Sequence, residues 1–255
     1  MSLYVKSFGC DMSEAETADL QSYENLGQLF RRRLRPGVRE VSSLSPLVSP
    51  CDGRVLHWGE VEAGGRVEQV KGVSYSLDHF LGGDLPTDKE KRLYQCVLYL
   101  APGDYHGFHS PTDWRVTTRR HFPGELLSVS PAVVQRIKSL FCLNERVAYI
   151  GEWEHGFFSM TAVGATNVGS VKVEMDPELV TNTRKWERET FHQRVWPGDG
   201  VATSKGEFFG EFNLGSTIVL IFEAPEDFKF CFESQSERVK FGGSLTPVSV
   251  EAPVS

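Results

Sequence analysis

The apolar residues of this chain come in short runs, and this limits what it can fold into. Nine segments read as strands bounded by Gly-rich punctuation: 53–62, 66–71, 94–101, 113–119, 146–152, 157–163, 170–175, 217–223 and 237–241. The most strongly apolar run, Ile218–Phe222, is five residues long, far below the ~20 that a membrane-crossing helix needs. Two segments carry a helical period. Ser13 and Glu16 fit a capping box, and Leu20, Tyr23, Leu26, Leu29 and Phe30 follow at helical spacing up to Pro36-Gly37. Ser130 and Pro131 open a second helix near 131–142, with Val134, Ile137, Leu140 and Phe141 on one face. Helices and strands do not alternate, which disfavours doubly wound and α/β-barrel patterns. The polar stretch 176–206 has no period and reads as a long exposed excursion.

With 255 residues, 40% of them hydrophobic and 24% charged, the chain can build a sizeable core. No linker splits it. The reading is an N-terminal helical segment, 1–40, followed by one domain, 41–255. A net charge of −7 argues against nucleic acid held by bulk charge. The five cysteines are widely spaced with no C-x-x-C pair, so they read as plain buried or semi-buried thiols rather than a disulfide framework or zinc site.

Three segments could carry chemistry. SPCDGRVLHWG (49–59) puts Asp52 on a tight turn. YLAPGDYHGFHSPTDW (99–114) places His106 and His109 three apart in a Gly/Pro-rich loop. GEFNLGSTIVLIFEAP (210–225) sets Gly215-Ser216 before the strongest strand. Each has an ordinary reading alone: an Asx turn, surface or structural histidines, a strand entry. The histidine pair is weak as a metal site because no third ligand follows at a familiar spacing, so no metal is expected. No G-x-S-x-G elbow surrounds Ser216. Together the segments contain the Asp, His and Ser needed to activate a hydroxyl, and the residue before Ser216 is glycine.

FNLGSTIVLIFEAP with YLAPGDYHGFHSPTDW closely resembles the phosphatidylserine decarboxylases of the mitochondrial, animal-type branch. The resemblance extends through NLGQLFRRRLRPG, SPCDGRVL, VEQVKGVSYSL, RRHFPGEL, NERVAYIGEWEHGFFSMTAVGATNVGS and VKFGGSL, nearly the whole chain. The stretch 82–93 looks shorter than in such relatives. The resemblance implies an enzyme that makes its own cofactor. Ser216 of L-G-S-T attacks the Gly215 carbonyl, with His109 as base and Asp52 orienting the imidazole. Scission between Gly215 and Ser216 gives a β chain, 1–215, and an α chain, 216–255, which stay together as a heterodimer, with further oligomerisation left open. Ser216 becomes a pyruvoyl group that forms a Schiff base with phosphatidylserine, and His106 is the candidate proton donor as CO₂ leaves and phosphatidylethanolamine forms.

The implied fold is α+β and predominantly β, with mixed or antiparallel sheets and a few flanking helices, including an N-terminal amphipathic one. VKFGG at 239–243 is similar to the hairpins of lipoyl-type barrel-sandwich modules. Arg31, Arg32, Arg33 and Arg35 are candidates for contact with an anionic membrane surface, the balancing alternative being a core-packed helix with a solvated basic end. The resemblance implies that the segment 1–40 faces a membrane, that the domain 41–255 is catalytic, and that the protein associates with the mitochondrial inner membrane. The family's presequence and membrane helix do not occur in this sequence, so a truncated or differently targeted form is expected. Two other readings compete: a non-catalytic lipid-binding or scaffold protein of the same fold, and a Ser-His-Asp hydrolase acting on an external ester.

Overall fold

A computed structural model describes residues 1–62, 64–70, 72–83, 85–88, 90–166, 170–183, 190–213 and 216–248. The helices are short: α1 (Ser2–Phe8), α2 (Leu26–Phe30), α3 (Leu77–Leu81), α4 (Pro131–Val134) and α5 (Leu140–Leu143). The strands are β1 (Gly53–Glu60), β2 (Arg66–Val70), β3 (Val73–Ser76), β4 (Arg92–Leu100), β5 (Gly107–His109), β6 (Trp114–Phe122), β7 (Arg146–Trp153), β8 (Gly156–Val163), β9 (Val171–Val173), β10 (His192–Val195), β11 (Val201–Thr203), β12 (Phe208–Phe212), β13 (Ser216–Ala224) and β14 (Arg238–Val239).

The main sheet runs β10-β6-β7-β8-β13-β4-β1-β14, with β11 also on β6, and its neighbours are antiparallel. The fold is thus α+β and mostly β, with antiparallel pairing where mixed sheets were also allowed. All nine residues of β13 are buried, as its unbroken apolar character demands. Alternation then splits the strand between two cores. Ile218, Leu220 and Phe222 pack with Phe108, Phe209 and Phe212 of the small sheet β5-β12-β9. Val219 and Ile221 pack with Tyr75, Phe80 and Phe141 from the β2-β3 hairpin, α3 and α5. The main sheet is therefore the middle of three layers, and Ser216 shares the face of Ile218 and Leu220.

Neither long helix forms as expected. Within 20–35, Asp19 caps a 3-10 turn at Leu20–Ser22, and Asn25 caps α2 by accepting from Gln28 N at 3.0 Å. Past α2 the chain is extended: Glu16 N donates to Arg33 O at 2.8 Å and Arg35 N to Glu14 O at 2.9 Å. Those backbone groups cannot also serve a helix. Ser13 is no capping residue, since its N–H and hydroxyl both go to Asp11. The 131–142 segment is two helices because Gln69 intrudes. Its amide donates to Val134 O at 2.7 Å and Ile137 O at 2.9 Å, and Ser139 turns into the left-handed region at φ 55°.

The excursion at 176–206 is also more ordered than expected, with residues 184–189 outside the described ones. β10 and β11 extend the main sheet from β6. Asp176 anchors them from a buried position, accepting from Arg119 at 3.0 Å, Arg194 at 2.7 Å and Tyr149 at 3.2 Å. Cys10, Cys51, Cys96 and Cys142 are buried free thiols, whereas Cys231 is exposed. No helix among the described residues is long and apolar enough to cross a membrane.

Candidate functional site

Asp52 sits in the turn that opens β1. Its Oδ1 accepts from Phe241 N at 2.8 Å and its Oδ2 from Arg39 at 2.8 Å. Arg39 also donates to Glu14 at 2.5 Å, and Lys240 Nζ reaches Glu14 at 2.8 Å. The hydrogen bond to Arg39 is the largest reason the Glu14 carboxyl is held down to about 2. Gly53 follows Asp52 because the backbone there approaches the Tyr99 carbonyl too closely for a Cβ. Close approach, and not a positive φ, demands glycine at this turn.

His109 ends β5, which pairs with β12. Its Nδ1 lies 3.0 Å from the Gly206 carbonyl and its Nε2 3.1 Å from the Tyr105 hydroxyl. A carbonyl can only accept, so Nδ1 carries the hydrogen and Nε2 holds the lone pair that the phenol donates to. Phe241 stacks on the ring at 3.5 Å and 15°, and Phe208 meets it edge-on. Burial lowers the His109 pKa to about 4, against the pull of the Gly206 bond and with help from Arg33. His109 is therefore neutral at physiological pH.

His106 is fully buried. Its Nδ1 lies 2.9 Å from the Asp104 carbonyl, so Nδ1 again carries the hydrogen. Its Nε2 has no partner. The ring meets Phe30 edge-on at 4.9 Å. Burial lowers its pKa to about 4 as well. Ser216 is the first residue of β13, in register with Leu100 of β4; it is buried, and its hydroxyl has no partner. Gly215 lies outside the described residues.

The expected series Asp52, His109, Ser216 is not joined by hydrogen bonds. Both Asp52 oxygens are taken by Arg39 and Phe241, and both His109 nitrogens by Tyr105 and Gly206. Asp52 and His109 meet instead through Phe241, the first on its N–H and the second on its ring. The sequence reading missed Arg39, Tyr105 and Phe241. Tyr105 lies inside the D-Y-H-x-x-H motif and Phe241 inside VKFGGSL, so both were within quoted motifs without a role assigned.

Of the four arginines of the cluster Arg32 alone is buried; Arg31 is half-buried and Arg33 is exposed. Arg32 is buried and donates to Leu29 and Gly103 carbonyls. Arg31 and Arg33 lie 4.0 and 3.8 Å from Glu211, and Arg33 also covers the Phe208 ring at 3.6 Å. Arg35 remains exposed. Leu29 and Phe30 of the same segment are buried. A cavity of about 830 Å³ lined by Phe122, Leu143, Arg146 and Phe191 is remote from this chemistry: Phe122 belongs to the core on the opposite face of the sheet from Ser216.

A profile of the family described as phosphatidylserine decarboxylase matches residues 26–246. The chain is 49% identical to the mitochondrial phosphatidylserine decarboxylase proenzyme of Rattus norvegicus, over 96% of this chain and 66% of that protein. Its Pongo abelii counterpart is 50% identical, over 96% of this chain and 65% of that protein. The mitochondrial phosphatidylserine decarboxylase proenzyme 1 of Schizosaccharomyces pombe is 37% identical, over 97% of this chain and 75% of that protein. The chain thus spans just under two thirds of the length of the mammalian relatives it matches.

Proposed function

The chain belongs to the phosphatidylserine decarboxylase family, and on that premise we propose that it cleaves itself before Ser216 and then decarboxylates phosphatidylserine. One observation carries this reading: the Ser216 hydroxyl is buried at the head of the central strand without any hydrogen-bond partner. An unsatisfied buried hydroxyl costs about 1–3 kcal/mol; Thr161 and Thr217 carry others, and that of Ser216 is the one directly after the glycine of the L-G-S-T motif.

In the proposed cleavage, Ser216 Oγ bonds to the Gly215 carbonyl carbon and gives its proton to His109 Nε2. The Gly215–Ser216 C–N bond breaks, and the freed amine takes that proton, leaving an ester. Loss of the Cα proton then breaks the Cβ–Oγ bond and releases Gly215 as a carboxylate. Hydrolysis of the remaining dehydroalanine liberates ammonia and leaves a pyruvoyl group at position 216. His109 suits the base role because it is neutral and has its lone pair on Nε2. Asp52 acts on it through Phe241, by fixing that residue's backbone while its ring holds the imidazole.

Residues 216–248 stay in place after scission, since β13 pairs with β4 and β8 on its two sides and β14 pairs with β1. The covalent ketone supplies an electron sink for the pair freed when CO₂ departs. His106 Nε2 moves the proton. Its free lone pair takes one from the substrate ammonium, and the imidazolium returns it to the carbon that loses CO₂.

The lipid approaches over the first 40 residues. Tyr4 donates to the Pro102 carbonyl and Phe30 covers His106, so this segment roofs the loop that carries both histidines. Leu3, Phe8 and Leu26 on it are exposed, as are Arg33 and Arg35, a mixture of apolar and basic groups suited to an anionic bilayer surface. By the same resemblance, a mitochondrial membrane is the proposed site of action. The test is release of CO₂ from phosphatidylserine vesicles. The wild-type chain should release it, and Ser216→Ala should not; equal release by both would overturn the reading.

A further inference from the structure

We propose that Tyr105 is a positioning residue for His109, its hydroxyl holding the imidazole in the one neutral tautomer whose lone pair is on Nε2. The inference rests on the reading of His109 as the cleavage base. Three observations support it. The Tyr105 hydroxyl lies 3.1 Å from Nε2, opposite the Nδ1 contact with Gly206. Tyr105 is buried, so its hydroxyl needs a partner inside the protein, and His109 is that partner. Gly107 stands where any Cβ would overlap the Tyr105 hydroxyl and ring, so the glycine between the histidines makes room for the phenol.

Free imidazole in water can place its hydrogen on either nitrogen. Here the Gly206 carbonyl demands a hydrogen on Nδ1, and the phenol rewards a lone pair on Nε2. A donor on the lone pair also stabilises the neutral ring over the charged one. Tyr105 therefore keeps the base both correctly oriented and unprotonated until the Ser216 hydroxyl takes the phenol's place. The phenol remains a donor throughout, because burial raises its pKa. The charged groups around the pair are Arg33 with its partner Glu211 from β12, Asp52 with its partner Arg39, and Arg32, which donates to the Leu29 and Gly103 carbonyls. None is altered by removing the phenolic oxygen.

The test uses the uncleaved Ser216→Ala chain with ¹⁵N-labelled histidine, His109 being assigned by a His109→Gln difference spectrum. Its ring nitrogens should show the Nδ1–H tautomer throughout the neutral range. Adding Tyr105→Phe should raise the His109 pKa by about half to one unit, the equivalent of one ordinary hydrogen bond. In the chain that retains Ser216, Tyr105→Phe should move the acid limb of the self-cleavage rate upward by the same amount. An Nε2–H tautomer in the Ser216→Ala chain would overturn the proposal even if Tyr105→Phe failed to fold. So would a folded Tyr105→Phe chain with an unmoved His109 pKa. Should the Ser216 chain not cleave at all, the proposed function fails while the tautomer and pKa measurements still decide the role of Tyr105.

Discussion

At the Asp52 end of the candidate site every charge has a partner, whereas at the Ser216 end polar atoms stand alone. Asp52, Arg39, Glu14 and Lys240 form a chain of ion pairs closed by the Phe241 N–H. Ser216 Oγ and His106 Nε2 are buried with none. His106 and His109 sharpen the contrast. Burial lowers both to about 4, yet His109 uses both nitrogens and His106 only one. Burial alone therefore does not mark the reactive group. What distinguishes the two rings is that His109 is engaged at both nitrogens while the outer nitrogen of His106 is open.

The largest effects should fall on the two histidines, and they should differ. His109→Ala should abolish chain scission and all activity after it. His106→Ala should still cleave but lose decarboxylation by roughly 10²–10⁴-fold, the usual worth of a positioned acid or base. A denaturing gel and a CO₂ assay on each variant decide the matter; a His106→Ala chain that fails to cleave would merge the two roles.

The ion-paired end should respond in stability. Arg39→Leu strips a partner from both Asp52 and Glu14 and should cost about 2 kcal/mol, read as a lower urea midpoint. Arg92→Leu breaks an exposed pair of contacts with Glu60 and Glu226 and should leave the midpoint where it was. Equal effects would erase the contrast.

Acid should act on both histidines together. Their folded values of about 4 lie below the ordinary 6.5, so the unfolded chain takes up protons first as the pH falls. Stability should be full above about pH 6.5 and decline toward pH 4, by up to about 3 kcal/mol for each ring. His106→Gln should flatten that part of a urea-midpoint titration; an unchanged slope would contradict the burial argument.

Much of this was legible in the sequence. Each of the nine expected strands overlaps an observed one, because buried strands such as β13 declare themselves by apolar content. β10 was not legible, since three of its four residues are exposed and its order comes from pairing with β6 and from buried Asp176. The two helices failed where other groups claimed their backbone: the Gln69 side chain at Val134, and the backbone of Glu14 and Glu16 at Arg35 and Arg33. Asp52, His106, His109 and Ser216 are candidates that motif alone could nominate. Arg39 is not one of them, because its role depends on Asp52 and Glu14 meeting in space.

The smallest effect expected is at the lipid surface. Replacing Arg31, Arg33 and Arg35 by Gln should weaken binding to anionic vesicles a few-fold and reduce its salt dependence, with scission untouched. The effect is modest because Arg31 and Arg33 already face Glu211. Unchanged binding would remove these side chains from the lipid contact.

The central claim, that Ser216 is kept free in order to attack its own chain, is tested most directly by the intact mass of the purified protein. The prediction is two fragments, with the small one comprising the 40 residues from 216 to 255 and bearing a blocked amino end, and with Ser216→Ala remaining a single chain. A lone species at 28.6 kDa, or a small fragment that begins with an unmodified serine, would contradict it.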